Sequence, residues 1–345
     1  MAATLPPAEA SLLAAGTVIP AHPLALTAER TLDESAQRAL TRYYVAAGAG
    51  GVAVGVHTTQ FAIHEPGGLL EPVLRIAAET FDTVDRPFLR IAGAVGPVRQ
   101  AVAEAELAAS LGYHAVLLSP TDGDEDALLA RSAAVGGVLP VIGFYLQEAV
   151  GGRYLSVDFW RRLADQPGVV AVKLAPFDRY RTLEAVRGIA SADRGAEVAI
   201  YTGNDDAILT DLLTPYDLGN GIRRHIVGGL LGQWAVWTRT AVGLSQQVQR
   251  ARGGDPTALA EVLGRTAGLT DANGAVFDVR NDFRGCVAGI NAVLYQQGLL
   301  RSPLCLDPAE TLSAGQAAEI ERVRIENPWL TDDDFVRENL DDWLR

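Results

Sequence analysis

The chain has 345 residues, 48% of them apolar, with a formal net charge of −13 and two cysteines, Cys286 and Cys305. So acidic a balance argues against nucleic acid and anionic membrane as partners, because both require basic surfaces. Two cysteines leave no disulfide framework and no thiolate metal cluster.

From the N-terminus, Met1 to Gly16 shows neither a basic leader nor a long apolar core, so no secretory signal is expected. No apolar run is long enough to span a bilayer, and the expected compartment is the cytoplasm. Pro6-Pro7 suggests a short extended arm over residues 1–15. Beyond it, short β-branched runs alternate with segments of helical period. The runs are Thr17 to Pro20, Val52 to Val56, Phe88 to Val95, Ala115 to Leu118, Pro140 to Tyr145, Val169 to Leu174, Val198 to Tyr201 and His225 to Gly228. The interposed segments include Thr31 to Ala46, Pro97 to Gly112 and Ser156 to Asp165. Asp33, Asp158 and Asp205 stand where N-caps or first-turn acids belong. Near-continuous apolar strands imply a parallel sheet covered on both faces. Eight β/α units predict an α/β fold of the (β/α)8 TIM barrel type over 16–245. A doubly wound sheet is the alternative, but it would want a glycine-rich turn after the first strand, where the chain reads Ala21-His-Pro-Leu24. Residues 246–345 read as a C-terminal helical region with an acidic, Trp-containing tail placed to pack on a neighbouring subunit.

One of the 29 Lys+Arg residues is a lysine, Lys173. Arginine serves solubility and ion pairing as well as lysine does, but it cannot act as an amine nucleophile. A GC-rich coding sequence alone would deplete lysine, yet a chance survivor belongs on a solvated face. Lys173 instead follows Val169, Val170, Ala171 and Val172, at the end of a strand. Barrel strand ends are where catalytic groups stand, and the chemistry reserved for lysine is imine formation with a carbonyl.

Other strand ends carry His57, Thr58 and Thr59, Tyr145, Gly203 to Asp206, and Gly228-Gly229. His57 and His22 are candidate acid/base groups or plain pocket-wall histidines. His57 and His64 are poorly spaced for a metal. Asp122, Asp124 and Asp126 alternate like a calcium loop, but the twelfth position is Ala133. Asp205 and Asp206 read as helix first-turn acids more readily than as substrate-facing groups. Gln147 and Glu148 are candidate selectors of a second substrate.

In order and spacing, these motifs resemble the dihydrodipicolinate synthase / N-acetylneuraminate lyase family of imine-forming class I aldolases, over roughly Gly16 to Arg322. The resemblance rests on Thr58-Thr59, Gly143-Phe-Tyr145, Val170-Ala-Val-Lys173, Gly203-Asn-Asp-Asp206 and the Ala/Gly-rich stretch from Arg284 to Leu300. It implies that Lys173 forms the imine with a pyruvate-like 2-oxo acid and that Tyr145 relays protons. It implies that Thr58 and Thr59 bind the carboxylate, that Thr59 also holds Tyr145, and that Gly203 and Ile226 line the pocket with backbone groups. The family's acid after the Thr pair is replaced, since the stretch reads His57-Thr-Thr-Gln-Phe61. Val150 stands where the synthase has an arginine for its second substrate, with Arg153 displaced. Ser119 to Asp124 lacks the tyrosine that the synthase lends to a neighbouring chain. The expected activity is therefore aldol cleavage or addition on a 2-oxo acid, with an aldehyde as second partner, rather than dihydrodipicolinate synthesis. Dehydration or deamination through the same imine, or a non-catalytic 2-oxo-acid-binding barrel, are the alternatives. No cofactor or metal is expected, and the assembly expected is a homodimer or homotetramer.

Overall fold

A computed structural model describes residues 2–120 and 123–345. Its main sheet has eight parallel strands. In chain order these are β1 (Val18–Pro20), β2 (Gly51–Val54), β3 (Leu89–Ala94), β4 (Ala115–Leu118), β5 (Val141–Leu146), β6 (Val169–Ala175) and β7 (Ala199–Thr202), and finally β10 (Gly228–Leu231). They lie in the order β1-β10-β7-β6-β5-β4-β3-β2. The ring is brought round by a parallel bridge, Ala21 to Ala53, in which the His22 N–H donates to the Ala53 carbonyl at 2.8 Å. This is the expected (β/α)8 barrel.

The covering helices are α2 (Glu34–Ala47), α3 (Leu70–Phe81), α4 (Val98–Ser110), α5 (Glu125–Val135), α6 (Val157–Ala164), α7 (Arg179–Ala190), α8 (Ile208–Leu213) and α9 (Thr238–Arg252). Side-chain caps start several of them. Asp33 accepts from Ala36 N, Asp124 from Ala127 N, Ser156 from Phe159 N and Asp178 from Arg181 N. Each such cap contributes about 1 kcal/mol. Asp158 is the first-turn acid of α6, two residues after its Ser156 cap.

Two apolar layers follow from the period-2 alternation of the strands. Ile142, Phe144, Leu146, Ala171 and Ala175 fill the barrel interior. Tyr145, Val172 and Leu174 face the helices.

Three expectations are corrected. The N-terminal segment is not an extended arm: α1 (Pro7–Ala15) is helical, with proline at its first position, where no N–H is needed. Leu13 of α1 packs into the inner layer, and its carbonyl accepts from the Tyr201 hydroxyl at 2.9 Å. The eighth barrel strand lies three residues later than the run His225 to Gly228 suggests. A small antiparallel hairpin, β8 (Pro215–Asp217) with β9 (Arg223–His225), takes up the start of that run. The tail, finally, packs on its own chain. Beyond α9 come α10 (Pro256–Val276), α11 (Cys286–Gln296), α12 (Gln316–Glu326) and α13 (Asp333–Trp343). Trp343 and Phe335 of α13 stack around Tyr43 of α2, with centroids 5.5 and 6.3 Å away. Arg42 donates to the Trp343 carbonyl at 2.6 Å. Among the described residues no helix is long and apolar enough to cross a membrane.

Asp332 ties this tail down. Its carboxylate accepts from the Tyr43 hydroxyl at 2.7 Å, the Arg239 N–H at 3.0 Å and Gln297 Nε2 at 2.9 Å. Asp332→Ala leaves the buried Tyr43 hydroxyl without its acceptor and is expected to lower stability by about 1–3 kcal/mol. Urea unfolding followed by circular dichroism checks this, and an unchanged midpoint would show that the clamp is dispensable.

Candidate active site

Lys173 points into the barrel because Ala171 and Ala175, two residues either side, do so. Phe144, its pairing partner on β5, shares the inward phase of Ile142 and Leu146 and stands beside it. The Lys173 ammonium lies 4.4 Å from the Phe144 ring centroid. On the other side is Gly203, just past β7. A Cβ there would sit 2.5 Å from Lys173 Cε and 2.8 Å from Ala175 Cβ, so the lysine occupies the space that this glycine leaves open. The amine opens on a cavity of about 620 Å³, mouth included, whose wall includes His57, Thr58, Phe144, Gly203 and Asp205.

Burial lowers the Lys173 pKa from 10.5 to about 8, and the facing Asp205 resists the fall. The Phe144 ring also resists it, since its π-face favours the cation. Asp205 shows the converse. Burial raises its pKa from 3.8 to about 7, against the pull of the Gln233 N–H and of Lys173. Gln233 N donates to Asp205 Oδ1 at 3.0 Å, and Asn273 Nδ2 donates to the Asp205 carbonyl at 2.5 Å. Burial, then the Lys173 charge, lower His57 to about 4, so its imidazole is neutral at ordinary pH.

Asp205 is the residue that sequence reasoning underweighted. Its place after β7 predicts a first-turn acid, but α8 begins only at Ile208, after an Ala207 cap. The freed segment turns Asp205 into the mouth. The only sequence signal was its place at a strand end.

Several expected site residues lie elsewhere. Tyr145 is one step out of phase with Phe144 and faces the helix layer, where its ring packs 4.9 Å from Trp160. Its hydroxyl lies toward Leu155 and Arg181, and burial raises its pKa. It is therefore not poised to relay protons to Lys173, and no tyrosine lines the described pocket. Thr59 does not hold Tyr145. Its hydroxyl accepts from Gly55 N and Val56 N and donates to the His22 carbonyl at 2.6 Å, which leaves it a loop brace. Thr58 stays on the pocket wall, its hydroxyl 3.2 Å from the same carbonyl. Ile226 is fully buried and precedes β10, at the end of the barrel opposite the mouth. Gly232, just past β10, takes the strand-end position instead. The His22 ring is also fully buried, with its nitrogens 2.7 Å from the Pro23 carbonyl and 2.9 Å from Thr41 Oγ1.

The remaining sequence candidates have structural partners. His64 Nδ1 lies 3.1 Å from Glu104 Oε2. Asp124 caps α5, Asp126 pairs with Arg162 at 2.7 Å, and Asp122 lies outside the described residues. Glu148 pairs with Arg181 at 2.5 Å, and Arg153 donates to the Gly123 carbonyl. Gln147 does reach the pocket.

The C-terminal region supplies a roof that nothing in the barrel motifs announces. Phe277, Phe283 and Cys286 close over the cavity, and Phe283 meets Phe177 edge-on at 5.8 Å. Phe177 and Phe283 both hold left-handed backbone, φ 52° and 62°. Such conformations cost about 1–3 kcal/mol each and persist only where the surroundings enforce them. For Phe177 the enforcement is visible. Its N–H donates to Asn204 Oδ1 at 2.9 Å, while Asn204 Nδ2 donates to the buried Asp211 at 3.0 Å. Beyond this aromatic gate lies a second chamber of about 760 Å³, lined in part by Asp206, Thr270 and Asn273. Phe177, Phe277, Phe283, Gln147 and Asp205 belong to both chambers.

No family model matches the sequence, and no curated protein matches it. Solved structures do. A prophage protein of the dihydrodipicolinic acid synthase family from E. coli K12, in complex with pyruvate, superposes with a TM-score of 0.75 at 17% identity, covering 91% of this chain and 99% of that one. The chloride-inhibited dihydrodipicolinate synthase from Acinetobacter baumannii, complexed with pyruvate, gives 0.73 at 17%, with coverage of 91% and 99%. N-acetylneuraminate lyase from Fusobacterium nucleatum, complexed with pyruvate, gives 0.72 at 15%, with coverage of 91% and 97%. The fold is that of the dihydrodipicolinate synthase and N-acetylneuraminate lyase structures, and at these identities the chain is not a close match to the synthase itself.

With one lysine in the chain, the site can be titrated directly. Amine-reactive labelling of Lys173, read by peptide mass to separate it from the α-amine, should rise with a midpoint near pH 8. A midpoint near 10.5 would show a solvated lysine. Gly203→Ala should displace Lys173 and shift that midpoint while leaving the circular dichroism spectrum unchanged.

Proposed function

We propose that the protein is a lyase that joins the Lys173 amine to the keto carbon of a pyruvate-like 2-oxo acid and makes or breaks a carbon–carbon bond through the resulting enamine. The observation that carries this reading is the chain's single lysine, buried at the barrel mouth with its pKa lowered to about 8. At pH 7.5 roughly a quarter of such amines are neutral, against about 0.1% at the ordinary lysine pKa. Only the neutral form attacks a carbonyl. The pyruvate complexes of the similar structures support the choice of substrate class.

Thr58 and the backbone around His57 are placed to receive the substrate carboxylate, with neutral donors that leave the lysine pKa low. The second chamber suits the aldehyde partner. No arginine lines either chamber, whereas three phenylalanines stand between them. An uncharged, apolar or aromatic acceptor fits that lining better than a carboxylate-bearing one. One observation favours a second reading, a barrel that binds a 2-oxo acid covalently without turning it over: among the described residues no phenol lines the pocket. Imine without product would establish that alternative.

Pyruvate or a close analogue with borohydride should add one substrate mass to Lys173, located by peptide mapping. An unmodified Lys173 across a broad keto-acid panel would sink the imine reading. Lys173→Arg should abolish trapping and leave folding intact. Tyr145→Phe should change kcat by less than about threefold, because its hydroxyl faces away from the amine. A loss of the about 10²–10⁴-fold expected for an acid/base group would put Tyr145 back in the mechanism. Condensation of pyruvate with aspartate semialdehyde should be negligible in a coupled assay, for want of a guanidinium to pair the second carboxylate.

A further inference from the structure

The pocket contains no phenol, yet imine chemistry needs a group that moves protons. We propose that the Asp205 carboxylate is that group, carrying protons between the Lys173 nitrogen and the substrate oxygens. The inference rests on the imine reading above.

The geometry singles Asp205 out. Its Oδ1 is anchored by the Gln233 N–H at 3.0 Å. It lines the same cavity as Lys173, and the opposite charges of the two groups act on each other across it. It also lines both chambers, so one carboxylate reaches the imine nitrogen on one side and the oxygen of the second partner on the other.

The competing groups are unsuited. The Tyr145 hydroxyl lies in the helix layer, and the Tyr201 hydroxyl is spent on the Leu13 carbonyl. The half-buried Cys286 thiol is pushed well above its ordinary pKa and stays protonated. His57 is held to about 4 and is a weak base. Asp206, on the same loop, raises Asp205 further, and Lys173 on β6 is the one cation that faces it. A carboxyl poised near 7 gives and takes a proton with little bias either way.

The proton balance closes with this one group. Carboxylate takes a proton from the ammonium through one bridging water, and the freed amine forms the C–N bond as the carbonyl π pair moves to oxygen. The carboxylic acid returns the proton to that oxygen. It then takes a second proton from nitrogen and delivers it to the hydroxyl. Water leaves as the nitrogen lone pair forms C=N. Ammonium, carbonyl and carboxylate become iminium, water and carboxylate. In cleavage, the same carboxylate takes the hydroxyl proton of the departing aldehyde as the carbon–carbon bond breaks.

The test is the rate of imine formation, which needs no knowledge of the second substrate. Rapid-mix borohydride trapping with pyruvate at pH 7.5 is read by intact mass for wild type, Asp205→Asn, Asp205→Ala and His57→Gln. Asp205→Asn keeps an oxygen for the Gln233 N–H and should trap Lys173 about 10²–10⁴-fold more slowly. Added formate should speed Asp205→Ala in proportion to its concentration, a rescue that a merely structural role would not show. Trapping in Asp205→Asn within a few-fold of wild type overturns the inference while leaving the imine reading intact. So does a loss confined to His57→Gln, which would assign the relay to the imidazole. If wild type itself is not trapped, the imine reading fails, and this inference with it.

Discussion

A lysine ammonium held inside an apolar barrel is the constraint around which the rest of the site is arranged. Burial opposes its charge, which is what makes the amine reactive near neutral pH, but an uncompensated buried charge would oppose folding. The surroundings strike a balance. Phe144 offers a π-face at 4.4 Å, and Asp205 faces the amine across the pocket rather than in contact with it. A tight ion pair would stabilise the ammonium and silence the nucleophile. Gly203 leaves the volume in which the lysine side chain lies.

The same constraint explains the roof. Electrostatic effects of this size need water kept out, and the barrel mouth alone is open. The segment between α10 and α11 closes it with Phe277 and Phe283, in a stretch where Asp278, Asp282 and Phe283 all hold left-handed backbone. Phe177 meets it from the β6–α7 side. The Asn204–Asp211 pair that holds the Phe177 N–H also receives the Thr202 hydroxyl at 2.6 Å. Strain in the gate is thus held by a buried polar network, which links the aromatic gate to the loop bearing Asp205. The C-terminal helices in turn are clamped to the barrel by Asp332, so the tail's packing reaches the site through the roof it holds.

The arrangement departs from what a barrel of this kind announces by motif. The side chain next to the amine carries no hydroxyl, and the titratable partner comes from the loop after β7. One carboxylate thereby stands at the junction of two chambers whose common wall is aromatic.

The sequence by itself determined the barrel and singled out the lysine at its mouth. Apolar β-branched runs separated by capped helical segments specify buried parallel strands, because each element's local preference agrees with the layer it enters. One lysine among 29 basic residues, placed at a strand end, needed no coordinates to be noticed. What only the tertiary structure decided was phase and reach. The phase of β5 chose Phe144 over Tyr145 as the inward side chain, in step with Ile142 and Leu146, and in a strand one step exchanges the pocket for the helix layer. The hairpin before β10 moved the last strand, and with it the contact assigned to Ile226. Asp205 and the Phe177–Phe283 gate depend on where loops end and on residues a hundred positions apart. No local pattern records such contacts, since they exist only once the chain has closed on itself.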